Sequence, residues 1–98
     1  MLRHFGVFKF NEDVSEEQIA ECFEVMQAMV GKIPGLLSME NGPYQSDEGL
    51  DQGYTHGFIM TFDSIASRDA YLPHPIHESV KEAVVPHLKD IIVFDFEV

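Results

Sequence analysis

The amino-acid sequence predicts an α+β fold in which helices cover one face of an antiparallel sheet. Three observations predict it. Segments of alternating, strand-like apolar pattern open and close the 98-residue chain. Segments with apolar residues at helical spacing interrupt them twice. Finally, the strand-like segments carry large apolar groups on both sides, more than two helices can cover. The resulting order, β-α-β-β-α-β, is the ferredoxin-like arrangement.

The first strand is LRHFGVFKF, residues 2 to 10. His4, Phe8 and Phe10 share one side; Phe5 and Val7 share the other. His4 is the polar exception on its side. The next segment starts with a capping box, Ser15 as N-cap and Gln18 three positions on. Ile19, Cys22, Phe23, Met26, Met29, Val30 and Ile33 then follow at helical spacing. They predict an amphipathic helix of about four to five turns. Gly31 weakens its last turn and Pro34-Gly35 stops it. The methionine-rich stripe reads as core. Cys22 lies on it and reads as a buried, unreactive thiol.

Residues 36 to 42 predict a second strand, followed by the acidic loop PYQSDEGLDQG. The third strand, YTHGFIMTF over residues 54 to 62, sets Tyr54, His56, Phe58, Met60 and Phe62 on one face. Asp63 and Ser64 open a short helix that Pro73 stops. Pro75 suits the first position of a further helical segment, residues 75 to 88. The chain closes on DIIVFDFEV, with Ile92, Phe94, Phe96 and Val98 on one face.

The two helical regions can cover only one face of such a sheet. A second copy of the sheet is the economical cover for the other, so the sequence predicts a homodimer with sheets face to face. Such a pair closes into a dimeric α+β barrel with an interior cavity.

Composition narrows the function. The length fits a single domain, residues 1–98. With 17 acidic and 6 basic side chains the formal net charge is −11. That argues against nucleic acid and against an anionic membrane surface, both of which require clustered Lys and Arg. No apolar run approaches the roughly 20 residues of a membrane span. One cysteine cannot form an internal disulfide, and the first residues do not resemble a signal peptide. A cytoplasmic location is the expectation.

The stretch YLPHPIHES, residues 71 to 79, concentrates the chemistry. His77 falls in the first turn of a helix, where the helix dipole disfavours an imidazolium. A neutral imidazole there is a candidate general base. Tyr71 is a candidate donor to an oxygen that gains negative charge. His4 and His56, each on an otherwise apolar strand face, are candidate polar points of the same cavity. The plainer alternative is that the prolines fix a helix junction, that the histidine bonds a backbone group, and that Tyr71 packs. A metal held by His74 and His77 is a weaker option, since no further ligand pattern accompanies them. No nucleotide, flavin or nucleophile-elbow motif occurs, so no cofactor is expected.

The blocks HFGVFKF, GYTHGFIMTF, YLPHPIH and IIVFDFEV, in this order, resemble the stress-responsive A/B barrel (Dabb) family. The resemblance spans essentially the whole chain. It implies a ferredoxin-like fold that pairs into a dimeric α+β barrel. The family includes a plant polyketide cyclase with a tyrosine and a histidine in its active site. The matching residues here are Tyr71 and His77, with His4 and His56 matching two further cleft histidines. The resemblance thus implies a cofactor-free reaction on a carbonyl compound. In it, His77 removes a proton α to the carbonyl, Tyr71 holds the substrate, and aldol ring closure follows. Other members have no assigned reaction. A non-catalytic barrel with a structural or carrier role in stress is therefore the alternative.

Overall fold

Strand β1 (Leu2–Phe10) runs through the middle of a four-stranded antiparallel sheet in the computed structural model, which describes residues Met1–Val98. It pairs with β3 (His56–Phe62) on one side and with β4 (Leu88–Glu97) on the other. Strand β2 (Leu36–Pro43) adds to the outer side of β3, which gives the order β2-β3-β1-β4. This is the expected ferredoxin-like sheet. Helices α1 (Glu16–Gln27), α2 (Ile65–Tyr71) and α3 (Pro75–Val84) pack on one face. No helix is long and apolar enough to cross a membrane.

Register decides which side chains meet. His4 stands opposite Met60 and Asp95, and Phe5 stands opposite Ile59 and Phe94. Side chains alternate across a strand. Leu2, His4, Phe8, Phe58, Met60 and Phe62 therefore face the helices and are buried. The core continues into Phe23, Met26, Met29 and Ile33. Gly6 belongs to this face because a Cβ there would lie 2.8 Å from both the Phe58 ring and the Ile92 carbonyl.

The other face has no helix. It presents Phe5, Val7, Ile59, Ile92, Phe94 and Phe96, with Phe94 60% exposed. Phe5 packs on Phe94 and Phe96 at centroid distances of 5.7 and 5.9 Å. An aromatic cluster on an open sheet face is costly to leave in water.

Local chemistry explains the element boundaries. The capping box forms as expected: Gln18 N donates to Ser15 Oγ at 3.1 Å, and Ser15 N donates to Gln18 Oε1 at 2.9 Å. Helix α1 nevertheless stops at Gln27, about three turns long and shorter than the apolar spacing suggests. A series of turns follows, with Gly31 at φ 89°. Met29 and Ile33 remain buried, so the spacing reported packing correctly and helix length incorrectly. Strand β3 starts at His56 rather than Tyr54. The Tyr54 hydroxyl donates instead to Asp90 at 2.7 Å, with Lys9 Nζ 4.5 Å from the ring centre. Helix α3 ends at Val84, and a 3₁₀ turn at Val85–His87, containing Pro86, leads into β4.

Candidate active site

Helix α3 and the helix-facing side of the sheet enclose a cavity of about 350 Å³. Twelve of its 15 lining residues are hydrophobic, and the other three are His4, His77 and Lys81. Tyr71 and Leu72 complete its wall at the junction of α2 and α3. No carboxylate lines it. An apolar cavity of this size with a few convergent polar groups is the usual form of a small-molecule site.

His77 lies in the first turn of α3. Its Nδ1 sits 3.0 Å from the Leu72 carbonyl oxygen. A carbonyl only accepts, so Nδ1 carries the proton and Nε2 keeps a free lone pair. Burial is the main cause that pushes the His77 pKa below its ordinary value. The hydrogen bond to the Leu72 carbonyl opposes it in part, and the Lys81 charge adds a smaller push downward. The ring is therefore a neutral imidazole near pH 7.

Tyr71 is 3% exposed and stacks on His77, with centroids 3.9 Å apart and planes at 24°. Burial first, and then the negative charge of Asp95, push its pKa well above the ordinary phenol value. The hydroxyl thus stays protonated. It has no hydrogen-bond partner in the protein, yet no fully enclosed side-chain oxygen is left unpartnered. The Tyr71 hydroxyl is therefore not fully enclosed, and Tyr71 lines the cavity, so the hydroxyl is a free donor at the cavity wall.

His4 approaches Tyr71 from β1, centroids 5.7 Å apart. Its Nδ1 is 2.8 Å from Asp95 Oδ1 on β4. Asp95 Oδ2 in turn accepts from Arg68 Nη1 on α2, and Arg68 Nε donates to Asp69 at 3.0 Å. A carboxylate accepts, so His4 donates through Nδ1 and leaves Nε2 available. Both imidazoles are tied back through Nδ1, and both rings pack on Tyr71 at the end of α2.

The fold thus brings together His4, Tyr71 and His77. His56 lies elsewhere. It pairs with Phe8, four residues along β1 from His4, a separation of about 13 Å at the strand rise. Its ring packs on Phe10 and Phe23, and its Nδ1 is 2.8 Å from Thr55 Oγ1. It lines a separate surface depression with Glu16 and Asn41. The shared face parity of His4 and His56 did not place them at one point. His74 is occupied differently again, since its Nδ1 accepts from Ile76 N at 3.1 Å and caps α3. The ring nitrogen nearest the chain is thereby committed to the backbone. No group of three or more His, Cys, Asp or Glu side chains is placed to hold a metal ion.

The order of strands, the open sheet face and the Tyr71–His77 pair can now be set beside known proteins. Residues 2–98 match the family model of the stress responsive A/B barrel domain. The chain belongs to the stress-responsive A/B barrel family. It is 26% identical to olivetolic acid cyclase of Cannabis sativa over 95 residues, which covers 97% of this chain and 94% of that one. A crystal structure of an Arabidopsis thaliana protein superposes with a TM-score of 0.96 at 30% identity, covering 100% of this chain and 95% of that one. A dimeric ferredoxin-like protein of unknown function from Jannaschia sp. CCS1 superposes with a TM-score of 0.87 at 28% identity, covering 99% and 98%.

In this A/B barrel protein, Asp95 and Arg68 are the site-supporting residues that sequence reasoning missed. A signal for Asp95 existed. It shares strand parity with Ile91 and Val93, which line the cavity, and not with Ile92, Phe94 and Phe96. A charge on the helix-facing side of the sheet asks for a partner. Arg68 gave no such signal, because a short helix carries no register toward a strand 27 residues away.

Proposed function

We propose that this A/B barrel protein binds a small, largely apolar carbonyl compound in the cavity and acts on it as a cofactor-free acid–base catalyst. The observation that carries this reading is the neutral His77 imidazole stacked on the protonated, unpartnered Tyr71 phenol. His77 Nε2 takes a proton from the carbon α to the carbonyl. The C–H electron pair moves into an enolate, and the negative charge collects on the carbonyl oxygen, where the Tyr71 hydroxyl donates. In a substrate with a second carbonyl, the enolate carbon attacks that carbonyl carbon and closes a ring. His77 then returns its proton to the new alkoxide. No step calls for a metal or an organic cofactor. His4, steadied by Asp95, completes the polar lining. We assign His56 no part in proton transfer, because it lines a separate depression.

The identity to olivetolic acid cyclase over nearly the whole of both chains supports a cyclase-like reaction. We further infer a homodimer joined through the open sheet face. The exposed Phe94 and Phe96 cluster and the dimeric relative from Jannaschia support it. The cytoplasm suits a chain whose single cysteine is a free, buried thiol.

A carrier without catalysis is the second reading, favoured by the twelve hydrophobic residues among the 15 that line the cavity. One experiment separates the two. A dialkyl ketone is incubated with the protein in D₂O, and exchange of its α-hydrogens is followed by NMR. Faster exchange that disappears in His77→Gln supports the acid–base enzyme. Binding without faster exchange supports the carrier, and absence of binding removes both.

A further inference from the structure

The cavity wall is electrically unlike the rest of the molecule. The chain has 17 acidic side chains against 6 basic ones, yet no Asp or Glu lines the cavity and Lys81 does. Lys81 sits one helical turn beyond His77 on α3, so the two side chains share a face. Its ammonium is held at 2.8 Å by Glu78 Oε1, a residue half exposed and outside the cavity lining. The Tyr71 hydroxyl offers a second donor to the same space. Asp95 stands behind the lining and is already paired with His4 and Arg68. A wall that offers an ammonium and a phenol, and no unpaired anion, is matched by a ligand that supplies negative charge.

We propose that Lys81 is a specificity residue that anchors a carboxylate of the ligand at the cavity mouth. The inference rests on the carbonyl-site reading above and names its substrate class, an apolar keto acid. On binding, the ligand carboxylate takes the ammonium from Glu78, which turns to solvent. Lys81 is 45% exposed and its pair with Glu78 is a surface pair of little strength, so a ligand carboxylate arriving from the cavity can displace Glu78 at small cost.

The test uses two probes and calorimetric titration. One is a nine-carbon ketone with a central carbonyl. The other is the keto acid of equal length and carbonyl position that ends in a carboxylate. The wild-type protein binds the keto acid about five-fold more tightly, the size of a partly exposed ion pair. Lys81→Met removes the preference, Lys81→Arg keeps it, and Glu78→Gln widens it by freeing the ammonium. Equal affinities in the wild type, or a preference that survives Lys81→Met, overturn the role of Lys81. If the ketone still shifts the His77 ring resonances in that case, the carbonyl-site reading stands. If neither probe binds, that reading falls and the keto-acid inference falls with it.

Discussion

The phenol of Tyr71 lies nearly flat against the imidazole of His77, centroids 3.9 Å apart, although one residue ends α2 and the other lies in the first turn of α3. Leu72 is the hinge of this arrangement. Its carbonyl accepts from His77 Nδ1, so the same short junction that turns the chain also sets the tautomer of the ring. The hydroxyl of Tyr71 and Nε2 of His77 are the two groups this leaves for a ligand.

Replacing Tyr71 by Phe keeps the stacked ring and removes only the hydroxyl. The hydroxyl has no partner in the protein, so stability should change by no more than about 0.5 kcal/mol. Ketone α-hydrogen exchange should fall by about 10²-fold, the usual effect of losing a donor to a developing oxyanion. Paired denaturation and exchange measurements test this. A large stability loss with exchange intact would make Tyr71 a packing residue.

The acid sensitivity of the fold should depend on His77. In the unfolded chain this imidazole titrates near its ordinary value of 6.5, and in the fold it titrates lower. Between the two values the unfolded chain binds more protons, so stability rises with pH there. The contribution is complete above the unfolded value and is lost as pH falls through the folded one. His56 is also lowered, mainly by burial, and acts with the same sign. His77→Gln should therefore flatten part of the slope of unfolding free energy below about pH 6.5, read at one protein concentration because a dimer's stability depends on it. An unchanged slope would place the sensitivity elsewhere.

Asp95 joins β4 to both β1 and α2 through His4 and Arg68. Asp95→Ala leaves two partners unpaired in a half-buried position and should cost about 2 kcal/mol in urea denaturation. It should also release the His4 tautomer, which the ¹⁵N resonances of the ring report. Wild-type tautomer populations in the variant would mean that Asp95 does not orient His4.

His74 should behave as a cap and nothing more. His74→Ala removes the acceptor for Ile76 N and should cost about 1 kcal/mol. His74→Asn, a good cap, should recover most of it. Thermal denaturation of the two variants decides the point, and an Asn variant as weak as Ala would refute the capping role.

The open face should be the dimer surface. Phe94→Glu puts a charge into the Phe5–Phe94–Phe96 cluster and should shift sedimentation from dimer to monomer. A variant that still sediments as the wild-type dimer would move the interface to another surface.

The succession of strands and helices along the chain, the capping box at Ser15 and the proline-marked junction between α2 and α3 were legible because each is local. Alternation has a period of two, capping spans four residues, and Pro75 fits the first helical position by its fixed φ. The end of α1 was not legible. Met29, Val30 and Ile33 keep helical spacing into a run of turns, because what periodicity reports is the side facing the core. Tyr71, His77 and His4 were legible as polar groups on apolar surfaces. The separation of His56 was not, because face parity places a residue on a side of the sheet and leaves its height along the strand open.

The sequence by itself determined the elements, the α+β arrangement and the existence of an apolar face without a helix, because these follow from short-range periodicity and from a count of surfaces. Only the tertiary structure decided that His4 meets Asp95 across 91 residues, that Arg68 closes the other side of that carboxylate, and that His74 caps while His77 faces the cavity. Those pairings depend on strand register and on the angle at which α2 meets α3. Both are fixed by the packing of the whole core, and no segment carries either alone.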